Sequence, residues 1–277
     1  MSRMGRAAAA EAVLPNASDL PVLECTLVLG GMPYHSRPHP GAVRALWGTA
    51  TRWPDAVKVI PNEEKGSILP DTFNKIWCNV LEARRSRGVT RFFMIHDDIE
   101  PEYFFLDKLL GIQKDTGADV VAVVVPIKTV HGVTSTAVAR SGDDESAVFR
   151  RLTLKEVFQL PETFTGEDVQ RTFGHGSVLL PNTGLWLADT SGDWVEQISF
   201  RFTTSIQKVG GRYLRHCVPE DWHFGLDLMR LGRKVVCTRA VKLNHHGGDC
   251  GVVTNAFAWG SWETDEEYEK LVSAGLA

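Results

Sequence analysis

The sequence predicts an α/β fold in which a mostly parallel central sheet is flanked by helices. Short apolar runs alternate along the chain with segments whose apolar residues recur at helical spacing, a pattern typical of parallel sheets with right-handed crossovers. The run at 118–125 is unbroken ADVVAVVV, as expected for a strand buried on both faces. No linker rich in proline, glycine or serine divides the 277 residues, of which 43% are hydrophobic. We therefore expect one continuous domain with a substantial core.

The first half of the chain, to about residue 126, supplies four strands and three helices to this prediction. Each predicted strand combines β-branched or aromatic residues, and each predicted helix repeats apolar residues every three or four positions. Glycine and proline mark the breaks, and the glycines after the first strand predict a loop that opens a ligand crevice. In order, the segments are strand 22–29, helix 41–53, strand 57–60, helix 71–83, strand 92–95, helix 104–113 and strand 118–125.

The second half is less regular. A polar region with short strands and a loop at 141–145 comes first. It is followed by a weakly helical or extended segment at 152–160, two short apolar runs within 171–187, helical spacing at 193–202, a helix at 221–231 and a strand at 234–237. We expect a flexible tail at 1–20 and a domain at 21–250. A C-terminal extension at 251–277 is predicted to contain a surface helix at 263–272.

Composition argues against several classes of protein. The formal net charge is −4, from 30 basic and 34 acidic residues, so the chain carries no overall polycationic character for nucleic acid. Five scattered cysteines without a CxxC pair favour free thiols in a reducing compartment, and we expect a cytoplasmic protein. No run approaches the roughly 20 apolar residues of a membrane span, so no stable membrane insertion is expected.

A polar cluster follows the predicted strand 92–95. His96, Asp97 and Asp98 come directly after four apolar residues, and Pro101 follows shortly after. Adjacent carboxylates repel each other, and such a pair at a strand end favours a bound cation. Carboxylate oxygens suit Mg²⁺ or Mn²⁺, which also bind phosphate oxygens. The alternative is a solvated turn whose aspartates cap a helix.

Two further clusters follow, the first of them about 120 residues later in the chain. Glu220 and Asp221 open the predicted helix at 221–231, where the helix dipole also favours ordinary acidic capping residues. His245 and His246 precede two glycines, which would let the backbone approach a ligand closely. Each cluster by itself is weak, and a lone histidine is more often structural than a ligand.

The segments HDDIEP, PEDWHFGLDLMRLGRKV and NHHGG, in this order and at this separation, resemble those of GT-A fold glycosyltransferases, most closely the family 2 type. The resemblance runs from about residue 22 to 248, and it implies a nucleotide-binding half at 21–126 and an acceptor half at 127–250. It implies a GT-A fold and the metal-dependent transfer of a sugar from a nucleoside-diphosphate donor to an acceptor hydroxyl. Uridine is the favoured base of the donor. Inversion is expected because no separate nucleophile is evident.

In that family a DxD motif binds the metal and the donor diphosphate. The resemblance makes Asp98 the metal ligand, with His96 standing where the first aspartate is usual and Asp97 near the sugar or ribose. A further metal or phosphate ligand is matched by both His245 and His246, of which His245 is favoured. The implied metal is Mn²⁺ or Mg²⁺.

The resemblance also implies an acceptor side. Asp221 matches the general base that takes the proton of the acceptor hydroxyl, with Glu220 as a supporting contact and Trp222 facing the acceptor. Lys128 and His131 are expected to border the donor sugar. The segment at 141–145 is expected to act as a lid.

Nucleotide contacts in the family come from the loops after the first two strands and from the following helix. The matching positions are Pro33 and Tyr34, Asn62 and Glu63, and Asn74. An acidic residue after the second strand can accept hydrogen bonds from a base, and an Asn on the helix can bind a base or a phosphate. Tyr34 and Asn74 fit equally well as packing and helix-surface residues.

Two other classes stay open at this point. A sugar-phosphate nucleotidyltransferase also places carboxylates and a metal at strand ends, although the segment GGMPYHSRPHPG is a poor version of its phosphate-gripping loop. A non-catalytic carbohydrate- or nucleotide-binding module would not need the pair Glu220 and Asp221. The acceptor is also open between a glycan, a small molecule, a protein and a modified nucleic-acid base.

Overall fold

The structure, a computed structural model, describes residues 26–35, 37–52, 57–139, 149–174, 178–209, 211–248 and 250–260. The expected tail at 1–20, the loop at 141–145 and the helix at 263–272 lie outside these residues. The strands are β1 (Thr26–Tyr34), β2 (Val57–Lys65), β3 (Arg91–Ile95), β4 (Ile99–Pro101), β5 (Val120–Val123), β6 (Val133–Ala139), β7 (Phe149–Thr153), β8 (Thr163–Phe164), β9 (Val178–Leu180), β10 (Leu185–Asp189), β11 (Thr203–Val209), β12 (Arg212–Val218), β13 (Val235–Thr238), β14 (Leu243–His246) and β15 (Val252–Thr254). The helices are α1 (Pro40–Arg52), α2 (Leu69–Arg87), α3 (Phe105–Thr116), α4 (Leu154–Val157), α5 (Gly166–Phe173) and α6 (Glu220–Arg230).

A seven-stranded sheet forms the centre of the fold, in the order β2-β1-β3-β10-β5-β13-β8. Strands β2, β1, β3, β5 and β13 run in one direction, and β10 and β8 run against them. The predicted α/β class and the mostly parallel sheet are therefore confirmed. The antiparallel β10 between β3 and β5 is not apparent from the sequence pattern, because its run of apolar residues is as short as that of its parallel neighbours.

Buried side chains fill both faces of this sheet, as alternation along a strand requires. Neighbouring residues of β1 show the division, since Val28 belongs to one core cluster and Leu29 to the other. The first cluster lies under α1 and α3, and the second lies under α2 and α6. The fully buried Trp77 of α2 donates its indole N–H to the carbonyl of Val195, which anchors a 3-10 turn at Asp193–Gln197. This turn replaces the longer helix expected at 193–202.

The predicted loop after the first strand is wrong, because β1 continues through both glycines to Tyr34. Gly31 pairs with Asn62 of β2 on one side and with Met94 of β3 on the other. A Cβ at Gly31 would lie 2.6 Å from the side chain of Ile76. Glycine therefore serves close packing between the sheet and α2 rather than a turn. Strand β2 likewise runs to Lys65, so the predicted loop after Ile60 is also strand.

Three smaller sheets lie beside the central one. Strands β15, β14 and β4 form a sheet in which His245 is the register partner of Ile99, next to the HDD cluster. Strands β7, β6 and β9 form a second, and the hairpin of β11 and β12 leads directly into α6. Among the described helices, none has the length and apolar composition that crossing a lipid bilayer requires.

Candidate functional site

A crevice opens where the connections of the central sheet change direction. Strand β1 lies between β2 and β3, and both neighbours run parallel to it. Ligands of open α/β sheets bind outside the carboxyl ends of strands at such a point. A cavity of about 200 Å³ lies there, lined by Pro33 and Tyr34 at the end of β1 and by residues 96–98 after β3. This is where the resemblance expects a nucleotide.

The carboxylate of Asp98 is held between two basic side chains. Its Oδ2 accepts from the Nζ of Lys128 at 2.5 Å and lies 3.2 Å from the Nε2 of His245. Strand β14 delivers His245 because it pairs with β4, the strand that begins immediately after Asp98. Burial acts to raise the pKa of Asp98, but the contacts with His245 and Lys128 outweigh it and hold the pKa well below its usual range. Asp98 is therefore ionised at any physiological pH.

The two histidines of the NHHGG segment point to different neighbours, because successive side chains of a strand lie on opposite faces. His245 faces Asp98, whereas the Nε2 of His246 lies 2.9 Å from Glu100 Oε2. The ring of His246 also stacks on that of His39, with ring centroids 3.5 Å apart. The assignment of His246 as a second ligand beside Asp98 is therefore corrected, and His245 is the one that reaches it.

The group of His39, Glu100 and His246 was missed by sequence reasoning. Its possible ligand atoms lie within 4.8 Å of one another. Hydrogen bonds already use several of them, since Arg44 donates to Glu100 Oε1 at 2.8 Å and the amide of Gly41 donates to His39 Nδ1 at 3.1 Å. No sequence signal brings position 39 to position 246, because only the pairing of β4 with β14 does so.

His96 lines the crevice, but it is also tied to the fold behind it. Its backbone N–H donates to the carbonyl of Gly184 at 2.9 Å, and its ring contacts Phe73 of α2 at 5.3 Å between centroids. Burial lowers the pKa of His96 to about 4, so the ring is neutral. Its Nε2 has no hydrogen-bond partner among the described residues.

The contacts of Asp98 allow a test of the metal that the resemblance implies. Asp98 Oδ1 and His96 Nε2 have no hydrogen-bond partner among the described residues, as atoms of a ligand set would. Asp98 Oδ2, however, is already bound by an ammonium group, and a neutral imidazole stands in place of a second carboxylate. Mg²⁺ and Mn²⁺ prefer several oxygen ligands. The residues as arranged do not fit such a cation.

Glu220 and Asp221 lie at the first turn of α6, as the sequence predicted. Asp221 is buried, and burial together with the charge of Glu220 raises its pKa to about 7. Burial also raises the pKa of Glu220, which accepts a hydrogen bond from the hydroxyl of Thr183 at 3.4 Å. A carboxylate with a pKa near neutrality suits a general base.

Two residues connect this acidic pair to the crevice. Gly184 accepts from the backbone of His96, and the adjacent Thr183 donates to Glu220. Both residues immediately precede β10, whose Leu185 is the register partner of Ile95 at the end of β3. The HDD cluster, His245 and the start of α6 therefore meet at one edge of the sheet.

Trp222 is packed rather than presented to an acceptor. Its ring stacks on Phe149 with centroids 4.7 Å apart, and the guanidinium of Arg151 lies 5.0 Å from its centroid. Arg151 also acts to lower the pKa of Asp221. The expected role of Trp222 as an acceptor platform is therefore replaced by packing between β7 and α6.

The predicted nucleotide contacts divide into two groups. Pro33 and Tyr34 line the crevice, as does Asp97, whose pKa burial and the charge of Asp98 raise. By contrast, the side-chain amide of Asn74 donates to the carbonyl oxygen of Phe200 at 2.7 Å and accepts from the Phe200 backbone N–H at 2.8 Å. The structure thus gives Asn74 the alternative packing role.

The predicted contacts on β2 are engaged with neighbouring helices. The Oε1 of Glu63 accepts from the indole N–H of Trp47 at 2.6 Å, and Asn62 Oδ1 accepts from Asn79 at 3.4 Å. Both residues lie within β2 rather than in a loop after it. A larger cavity of about 630 Å³ lies between α1 and the segment after β4, but it is lined by none of the predicted site residues.

Comparison with known proteins leaves the family open. No protein-family model matches the chain, and no curated protein matches it. Among solved structures it is similar to A197 from STIV, with 11% sequence identity and a TM-score of 0.48, over 87% of this chain and 100% of that one. A likeness this distant carries no information about reaction or substrate.

Proposed function

We propose that this protein is a GT-A-like glycosyltransferase that moves a sugar from a nucleoside-diphosphate donor, with uridine the favoured base, to an acceptor hydroxyl. The supporting observation is the meeting of two kinds of group at one sheet edge. An ionised aspartate held by basic side chains lies on one side of Thr183 and Gly184, and a buried carboxylate with a pKa near 7 lies on the other. The basic side chains around the aspartate suit a diphosphate, and the buried carboxylate suits removal of the proton from the acceptor.

In the proposed reaction Asp221 is the general base. The acceptor oxygen attacks the anomeric carbon while its proton moves to the Asp221 carboxylate. The bond between the anomeric carbon and the diphosphate oxygen breaks, and the nucleoside diphosphate leaves with the bonding electron pair. A single displacement of this kind inverts the anomeric configuration. Burial keeps Asp221 basic enough to accept the proton near neutral pH.

The alternatives receive less support. A nucleotidyltransferase needs a glycine-rich loop for a triphosphate, but Gly30 and Gly31 lie within β1 and pack against aromatic side chains. Burying the Asp221 carboxylate at a helix start costs folding free energy, and a module that only binds its ligand would gain nothing from it. The acceptor stays open among a glycan, a small molecule, a protein and a modified nucleic-acid base. A cytoplasmic location is part of the proposal.

A panel of nucleotide sugars tests the proposal directly. Thermal unfolding is measured with each donor, once with Mn²⁺ and once with a chelator, because a ligand that binds the native state raises its melting temperature. The metal requirement implied by the resemblance stays a prediction that these two arms examine. The stabilising donor is then tested for release of nucleoside diphosphate, and proton NMR of the product gives the anomeric configuration. Stabilisation by none of the donors would contradict the proposal.

A further inference from the structure

Lys128 occupies the position at Asp98 that the resemblance reserves for a metal. Its ammonium donates to Asp98 Oδ2 at 2.5 Å, and one such hydrogen bond leaves two of its three N–H groups for a ligand. The Lys128 side chain is about one-third exposed, so it is partly buried and still accessible to a ligand. A cation supplied by the chain is therefore already present beside the crevice.

His245 is the second basic neighbour of Asp98, and both nitrogens of its ring have partners. The Nδ1 of His245 lies 2.8 Å from the carbonyl oxygen of Pro126, and a carbonyl oxygen only accepts, so Nδ1 carries a hydrogen. Its Nε2 faces Asp98 Oδ2 at 3.2 Å, and a carboxylate oxygen also only accepts. His245 is thus held by Pro126 on one side of its ring and by Asp98 on the other.

The chain is shaped to hold Lys128 in this position. Gly248 has a φ of 69°, and a Cβ there would lie 2.8 Å from the Cβ of Lys128 and 2.9 Å from its carbonyl oxygen. Any other residue would push the strand end away from Lys128. The second glycine of the NHHGG segment therefore makes room for the lysine, which is a different role from the close approach to a diphosphate that the sequence suggested.

We infer that the ammonium of Lys128, with His245 beside it on Asp98, forms a site that binds the diphosphate of the donor in place of a divalent metal. The inference rests on the proposed function and specifies how that site neutralises its ligand. The ammonium offers its remaining N–H groups to phosphate oxygens, as lysine does in other phosphate sites. Asp98 serves as the group that orients both basic side chains.

Binding of uridine diphosphate and of inorganic pyrophosphate, measured by calorimetry in a chelator, tests this inference. The wild-type protein is expected to bind both ligands, and Lys128→Met to weaken binding by about 10- to 100-fold, the effect of losing a charge-assisted hydrogen bond. Lys108→Met is the matched control, because Lys108 also pairs with a carboxylate, Glu102, at 2.7 Å but lies outside the crevice. It is expected to leave binding unchanged.

A double variant distinguishes loss of the ligand site from loss of folding. Asp98→Asn combined with Lys128→Met removes both members of the ion pair, so no unpaired carboxylate remains beside His245. Its thermal melt is expected to stay close to that of the wild type, while its binding in chelator is as weak as that of Lys128→Met. A double variant that binds as tightly as the wild type would contradict the inference.

Two further outcomes separate the inference from the proposed function. If the wild type binds uridine diphosphate only with Mn²⁺ present and Lys128→Met binds equally well, the inference is wrong and the sugar-transfer proposal stands. If no nucleoside diphosphate binds with either Mn²⁺ or chelator, both are wrong. Binding in chelator that depends on Lys128 supports both.

Discussion

Replacing Asp221 by asparagine separates its proposed catalytic role from its effect on stability. The substitution keeps the shape and removes the ionisable group. Burial and Glu220 raise the pKa of Asp221 from 3.8 to about 7, and at 1.36 kcal/mol per unit this corresponds to roughly 4 kcal/mol. That free energy opposes folding whenever the folded protein must ionise the group.

The sign of the pH dependence follows from proton linkage. The pKa is higher in the folded than in the unfolded state, so the folded protein holds an extra proton between about pH 4 and pH 7, and stability falls as pH rises through that window. Asp221→Asn removes this loss. We expect the variant to be more stable than the wild type at about pH 8, by up to roughly 4 kcal/mol, and nearly equal to it at about pH 4.

Thermal or urea unfolding at the two pH values measures this difference, and a transfer assay measures activity. Transfer is expected to fall about 10²- to 10⁴-fold in Asp221→Asn while donor affinity is unchanged, and the wild-type rate should rise with pH through about 7. Asp227→Asn on the same helix is the contrasting control, because buried Asp227 pairs with Arg201 and Arg230 and its loss should destabilise at both pH values. Equal destabilisation of Asp221→Asn at both pH values, or undiminished transfer, would refute the reasoning.

Three further predictions have defined outcomes. Gly31→Ala should lower the free energy of unfolding by about 1–3 kcal/mol through overpacking. Gly48→Ala in α1 should not lower it, because a Cβ there meets nothing within 4 Å. Equal melting temperatures of the two variants would disprove the packing account. Asn74→Ala should lower the free energy of unfolding by about 1–3 kcal/mol, because two hydrogen bonds to the backbone are lost, and should leave donor affinity unchanged. A loss of affinity without a change in stability would restore the nucleotide-binding role of Asn74. His245→Ala should weaken pyrophosphate binding about tenfold or more, and His246→Ala by less than about twofold; the reverse order in calorimetry would reassign the pair.

Much of the architecture was accessible from pattern alone. The apolar run before His96 and the acidic start at Glu220 each combine a strong periodic signal with a polar end, and both lie where the sequence predicted. The glycines of β1 misled because glycine has two uses, in turns and in close packing. The two uses are distinguished only by the packing of Phe93 and Ile76 against this strand, which the sequence does not reveal.

The site was harder to predict than the fold. Lys128 lies shortly after β5, which the antiparallel β10 separates from β3 in the central sheet. The sequence contains no signal for that insertion, so Lys128 was expected near the sugar rather than on Asp98. The division of His245 from His246 was in principle predictable, since adjacent residues of a strand cannot face the same partner. That inference required knowing that the pair lies within a strand and not after one.

The pairing of β14 with β4 has a consequence for how the protein matures. One of the two basic side chains on Asp98 comes from position 245, so a nascent chain that has emerged only through β13 already contains the strands of the central sheet but carries the aspartate with Lys128 alone. The ligand site is therefore complete only after β14 has been synthesised and has paired with β4. A bound diphosphate would in turn favour the paired state of β14, and resistance of β14 to proteolysis would report occupancy of the crevice.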